Sequence, residues 1–203
     1  MKIKVYVEGG PRGVDADGVR SIRKAFKQHF ERLDPRLKTL DVVARGSTDQ
    51  TIKGYSDGVR QYSSEYSVAL LVDSDAVVTA NTPAMHIQAK LDAAHVAPAD
   101  RENIFLMVQC MEAWLVTDPT ALEKCFGAKA RDIKLPPNPN IEAVPIKDIL
   151  AALDSAARST PTRHYHKIRD GARILAELNP ELVAKRSKHA VALHEFLRRS
   201  VGV

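Results

Sequence analysis

Three observations predict an α/β fold built on a mostly parallel sheet. Apolar segments of strand length alternate with helix-period segments over the first part of the chain. Two of the strand candidates, Val68–Val72 and Ile104–Val108, are apolar almost without interruption, which suits strands covered on both faces. The order strand, helix, strand, repeated through four strand candidates, is that of a doubly wound sheet.

The elements follow in order. Ile3 to Val7 alternates apolar with basic and aromatic residues and reads as the first strand. Val19, Ile22, Phe26, Phe30 and Leu33 recur every three or four residues, the spacing of one buried helix face, with Arg20, Arg23, Lys24 and Lys27 on the solvent side. Asp34-Pro35 ends that helix, and Leu40 to Ala44 is the second strand. Gln50 to Tyr66 is expected to be a helix with Tyr55, Val59, Tyr62 and Tyr66 on its packed face. After the strand Val68–Val72, a loosely helical stretch from Pro83 to Ala94 leads to the strand at Ile104–Val108.

Asp118-Pro119 is an N-cap followed by proline at the first helical position, opening a short helix that Phe126 and Gly127 close. Lys134 to Asn140 holds three prolines in four positions, at 136, 137 and 139, and is excluded from regular structure. Beyond it three helical faces are expected: Ile146, Ile149, Leu150 and Leu153; Ile168, Ala172 and Leu175; Leu182, Ala190, Leu193 and Leu197. The organisation is therefore an α/β core over 1–133, a Pro-rich connector over 134–145 and a helical appendage over 146–203 packed on the core.

Composition narrows the function classes. The chain has 203 residues, 44% hydrophobic and 27% charged, which suits a globular core and excludes disordered and collagen-like classes. No apolar run approaches the roughly 20 residues of a membrane span, and the start lacks the apolar stretch of a secretory signal. Cys110 and Cys125 form no CxxC pair, so a reducing cytoplasm is expected, and His164, His166, His189 and His194 do not make a zinc set. GxxxxGK[ST], GxGxxG and GxSxG are all missing.

Ligands of an open parallel sheet bind beyond the carboxyl ends of its strands. Glu8 follows the first strand and precedes a glycine-rich turn; Asp73 and Asp75 follow the third, with an i, i+2 spacing that points both to one side of an extended chain. Three carboxylates in one crevice repel unless a cation neutralises them, and hard oxygen donors suit Mg²⁺ or Mn²⁺. Such a site holds a phosphodiester, lowers the pKa of a water and leaves a carboxylate free to shuttle a proton. Acids after strands also cap helices or face water, and that alternative stays open here. Glu112, just after the fourth strand, is either a further ligand or the cap of the next helix.

Val7-Glu8-Gly9-Gly10, Leu71-Val72-Asp73-Ser74-Asp75 and Met107 to Trp114 resemble an uncharacterised toprim-like family of prokaryotic proteins, as do Asn138 to Glu142, Tyr165 to Arg169 and Ala184 to His189. The resemblance implies a toprim-like sheet in which Glu8 is the general acid/base or a metal ligand and Asp73 and Asp75 hold Mg²⁺ or Mn²⁺. More distant relatives are the overcoming-lysogenization-defect nucleases and the effector nuclease of the PARIS anti-phage system, which acts beside an ABC-type ATPase and attacks transfer RNA. The implied function is a metal-dependent nuclease acting on RNA or DNA, with phage defence and an ATPase partner; a non-catalytic protein that docks the ATPase is the alternative, and self-association is left open. Arg12 stands where many relatives carry a second acid.

Arg12, Arg45, Lys167, Arg169 and Arg173 are the candidate phosphate contacts, Arg169 and Arg173 sharing a helix face at i, i+4. Trp114, Tyr55, Tyr62 and Tyr66 have a spacing that favours packing over base stacking. The net charge of +5 is concentrated: Arg158 to Arg199 carries ten Lys and Arg against four Asp and Glu. A basic flank beside an acidic crevice is the expected arrangement for holding a phosphate backbone.

Overall fold

The computed structural model describes residues 2–9, 15–159 and 164–202. Four strands, β1 (Lys2–Glu8), β2 (Asp41–Arg45), β3 (Tyr66–Asp73) and β4 (Ile104–Met107), form one parallel sheet in the order β2-β1-β3-β4. The register pairs Val5 with Val42 on one side and with Ala69 on the other, and Asp73 with Met107.

Side chains alternate across this sheet and both faces are covered. Ile3, Val5, Val7, Ala69, Leu71, Phe105 and Met107 face one apolar cluster; Tyr6, Val68, Leu70, Val72, Ile104 and Leu106 face another. α1 (Ala16–Leu33) supplies Ile22, Phe26 and Phe30 to the first cluster. α2 (Thr48–Tyr62) and the short α3 (Pro83–His86) and α4 (Gln88–Ala93) cover the second with Ile52, Tyr55, Ile87 and Leu91. The uninterrupted apolar runs are thus strands buried on both sides, each fully buried Leu or Phe contributing roughly 1.5–3 kcal/mol.

The remaining helices are α5 (Glu112–Leu115), α6 (Pro119–Phe126), α7 (Ile146–Ala157), α8 (Arg169–Glu177), α9 (Pro180–Ala184) and α10 (Lys188–Val201). They join the first cluster through Trp114, Leu122, Leu153, Leu175, Leu193 and Leu197, so the helices after the proline segment share one core with α1 and the sheet. Asp118 caps α6 by accepting from Thr120 N–H (2.9 Å), and its other oxygen accepts from Asn179 N–H (2.9 Å) at the start of α9. Glu142 performs the matching role for α10, accepting from the hydroxyl of the N-cap Ser187 (2.7 Å) and from His189 N–H (3.0 Å). No helix among the described residues is long and apolar enough to cross a membrane.

Three expectations are corrected. The second helix ends at Tyr62, and Tyr66 opens β3 instead of extending the helix, because Ser63 to Glu65 turn the chain and Tyr66 pairs with Lys2. The stretch after Pro83 divides into α3 and α4, with Ile87 between them. Leu150 is 39% exposed, because the buried face of α7 is set by Ile149, Ala152, Leu153 and Ala156. Trp114 and Tyr55 are buried, while Tyr62 and Tyr66 pack around the Lys4 ammonium, at 4.6 and 4.9 Å from its nitrogen.

His29 on α1 and His194 on α10 are buried ring to ring, 5.9 Å between centroids, and His29 also lies 5.9 Å from Trp114. Neither ring nitrogen of His194 has a hydrogen-bond partner, and the Leu178 backbone lies against the His29 ring. Burial, then His194 and Arg32, push His29 down to about 3; burial and Arg198, opposed by Glu181, push His194 down to about 4. Both folded values lie below the ordinary 6.5, so as pH falls below that value the unfolded chain takes up protons that the folded chain refuses. Stability is therefore lost on acidification from about pH 6.5 downward. Denaturant titrations at pH 6.5 and 5.5 should show a loss of about 1 kcal/mol per ring, and His29→Leu should remove about half of the part due to the pair; identical pH dependence in the variant would contradict this assignment.

Candidate active site

Leaving β1, the chain crosses to β2 on one side and reaches β3 and β4 on the other, so the crevice beyond the carboxyl ends of β1 and β3 is the topological switch point. Glu8 ends β1 and Asp73 ends β3. Glu8 Oε2 accepts from the Thr48 hydroxyl (2.9 Å) and from the Asp73 N–H (3.3 Å), while Asp73 Oδ1 accepts from the Met111 N–H (2.8 Å). Between them is a cavity of about 20 Å³, lined also by Met107, Met111, Lys167 and Ile168. It has room for about one water or one small ion.

The local chain explains this convergence. Gly9 N–H donates to the Gly46 carbonyl (3.2 Å), and a Cβ at Gly9 would lie 2.1 Å from the Arg45 carbonyl oxygen, so only glycine lets the ends of β1 and β2 approach this closely. After β3 the chain enters a turn at Ser74 and Asp75, held by Gln109: its N–H donates to Ser74 Oγ (2.7 Å) and its carbonyl accepts from Asp75 N–H (3.1 Å). Asp75 and Gln109 adopt φ of 60° and 63°, a left-handed conformation that costs a non-glycine residue on the order of 1 kcal/mol. The Gln109 side chain secures the strained turn by donating to the carbonyls of Glu142 (2.8 Å) and Val144 (2.7 Å).

The electrostatics are those of acids crowded with little compensation. Burial and the neighbouring Glu8 carboxylate hold Asp73 well above the usual carboxylate range, against the opposing pull of Lys167. Burial likewise raises Glu8, opposed by its bonds to Thr48 and Asp73. Glu112, the first residue of α5, is 1% exposed on its side chain and faces the Tyr165 hydroxyl and the Lys167 ammonium. Its ionic partner is the Lys167 ammonium at 3.4 Å. Burial, Glu112 and Asp73 push the Cys110 thiol up to about 12, which leaves it unsuited to act as a thiolate.

The structure thus brings Glu8, Asp73, Glu112 and Lys167 together. It does not bring Asp75 into the crevice: the left-handed turn directs that carboxylate outward to Lys90 Nζ (2.8 Å), where it is 64% exposed, and from there its charge still raises Glu8. Nor does it bring in Arg45, whose Nε lies against the Gly54 position of α2. Arg169 is paired with the buried Asp170 (3.0 Å); with Arg173, Lys24 and His166 it lines a separate groove of about 480 Å³ between α1 and α8. Arg12 lies outside the described residues. Among the described residues, no group of three or more His, Cys, Asp and Glu is arranged to hold a metal ion.

Two supporting residues escaped sequence inspection. Thr48 follows β2 at the same edge of the sheet, and the rule that singled out Glu8 could have singled it out too. His86, whose Nε2 lies 3.0 Å from the Ser74 carbonyl oxygen, comes from α3 and carries no local signal.

Fold and site together define an α/β protein with a doubly covered parallel sheet and an acidic crevice at its switch point. The chain belongs to the family described as Domain of unknown function (DUF4276), whose model matches residues 15–198. No curated protein and no solved structure matches it.

Asp73 ionises at a cost in the folded state, and that cost is absent at pH below the ordinary carboxylate value of 3.8, where the group is protonated in folded and unfolded chains alike. Asp73→Asn keeps an oxygen for Met111 N–H and removes the charge. It should stabilise the protein at pH 7 in denaturant titration, with the gain vanishing toward pH 3; destabilisation at pH 7 would contradict the crowded-charge description.

Proposed function

We propose that the protein is a divalent-cation-dependent phosphodiester hydrolase acting on RNA or DNA, with the toprim-like chemistry that its Glu8 and Asp73 motifs resemble. The observation that carries this is the pair of crowded carboxylates at the switch point, in a cavity the size of one water or ion, with one ammonium group to offset them. Ionisable groups strained in this way cluster at functional sites.

Glu8 and Asp73 would hold Mg²⁺ or Mn²⁺; one or two carboxylates completed by water and substrate oxygens are the usual protein share of a magnesium site. The crowding of Asp73 with Glu8 fits a missing positive charge. Bound there, the cation would offset developing phosphate charge and acidify a water. Lys167, exposed on one side, is positioned to take a non-bridging phosphate oxygen, and Glu112 fixes its direction from behind. Glu8 would hold the cation or, left off it, accept a proton from the attacking water and return it to the leaving oxygen. Arg169 and Arg173 in the adjoining groove would follow the strand away from the crevice. The resemblance to the PARIS effector extends the proposal to phage defence in the cytoplasm beside an ABC-type ATPase.

A non-catalytic docking role is favoured by two observations: Lys167 already supplies a counter-charge, and no group of three or more His, Cys, Asp and Glu is arranged for a metal among the described residues. Labelled RNA and DNA oligonucleotides separate the two. Cleavage with Mg²⁺ or Mn²⁺, lost at least about 100-fold in Glu8→Gln and Asp73→Asn while both variants stay folded, is expected for the hydrolase. Cleavage unchanged in those variants, or no cation-dependent cleavage of any strand together with stable capture of the ATPase, would overturn it.

A further inference from the structure

We propose that Thr48 is a positioning residue of the crevice: its hydroxyl, together with the Asp73 N–H, occupies one oxygen of Glu8 and leaves the other as the single oxygen that Glu8 presents to a cation. This rests on the cation-dependent reading of Glu8 and Asp73 and adds which cation that site selects.

Glu8 Oε2 accepts two hydrogen bonds, from the Thr48 hydroxyl at 2.9 Å and from the Asp73 N–H at 3.3 Å. A carboxylate oxygen has two lone-pair sites, so both of those on Oε2 are taken. Among the described residues, none donates a hydrogen bond to Oε1, and Glu8 lines the small cavity with Asp73. Thr48 is held in place by the start of α2. Gly9 N–H donates to the Gly46 carbonyl (3.2 Å), which draws that start against the end of β1, and Gln50 Oε1 accepts from Ser47 N–H (3.0 Å). Thr48 itself is buried, so its hydroxyl has little access to water in place of Glu8. A carboxylate limited to one oxygen suits Mg²⁺ or Mn²⁺, which keep an octahedral shell and fill it with water and substrate oxygens. Ca²⁺ is larger, takes roughly six to eight oxygens and often draws on both oxygens of one carboxylate. The Thr48 hydroxyl therefore selects the smaller ions by denying Oε2 to the larger one.

The test is calorimetric titration of the intact chain with Mn²⁺ and with Ca²⁺ at pH 7.5. Wild type should bind Mn²⁺ more tightly than Ca²⁺. Thr48→Val, which keeps the branched shape and removes the hydroxyl, should lower the ratio of Mn²⁺ to Ca²⁺ affinity at least about tenfold, and Thr48→Ser, which keeps the hydroxyl, should hold it within about twofold. A general disturbance of the crevice would weaken both ions alike and leave the ratio as it was. An unchanged ratio in Thr48→Val, loss of both ions by that variant while it stays folded, or a wild type that prefers Ca²⁺ would overturn the inference alone. A wild type that binds neither ion would overturn the cation site as well. Wild-type crystals soaked in Mn²⁺ give a second readout that does not depend on a variant folding: the metal should lie on Glu8 Oε1 with Thr48 still bonded to Oε2. A metal on Oε2 would contradict the positioning role.

Discussion

The parallel pairing of β1 with β3, in register from Lys2 opposite Tyr66 to Val7 opposite Leu71, ends both strands at one level and sets Glu8 against the backbone of Asp73. The two strands lie at the centre of the order β2-β1-β3-β4, where the chain reverses its direction of winding, so no crossing helix covers the gap beyond them. Both acids are there because the sheet puts their strands side by side. Their cost is offset by apolar burial on the two faces of the same strands, where Val5, Val7, Leu70, Leu71 and Val72 are wholly buried.

The helices after the proline segment complete the crevice. Lys167 reaches it from the turn before α8, which packs on α1, while Gln109 bonds the carbonyls of Glu142 and Val144 and so fixes the turn beyond β3 against the segment that caps α10. The basic character of this region is largely satisfied within the fold. Arg158 pairs with Asp154, Arg169 with Asp170, Arg198 with Glu181 and Lys167 with Glu112. The surplus charge therefore leaves fewer free cations than its count suggests, and Arg173 and Lys24 line the groove beside α8.

Strand order and covered faces were legible because uninterrupted apolar runs such as Val68 to Val72 have one economical placement, between two helix layers. Glu8 and Asp73 were legible for a related reason: the end of a parallel strand is a position, and residue type then supplies the chemistry. Asp75 was not, because i, i+2 spacing points two side chains the same way only while the backbone stays extended, and φ of 60° at Asp75 breaks that condition. Tyr66 kept the helical spacing of Tyr62 yet belongs to β3, since pairing with Lys2 outweighs a periodicity that four residues cannot enforce. The burial of His29 beside His194 arises from packing α1 on α10, a long-range contact with no trace in either segment.

The proposed cation site is most directly tested by the anomalous scattering of a crystal soaked in Mn²⁺ and measured near the manganese edge. A peak within coordination distance of Glu8 and Asp73, with Asp75 still on Lys90, is the expected result. A crevice without a peak at saturating Mn²⁺ would contradict it.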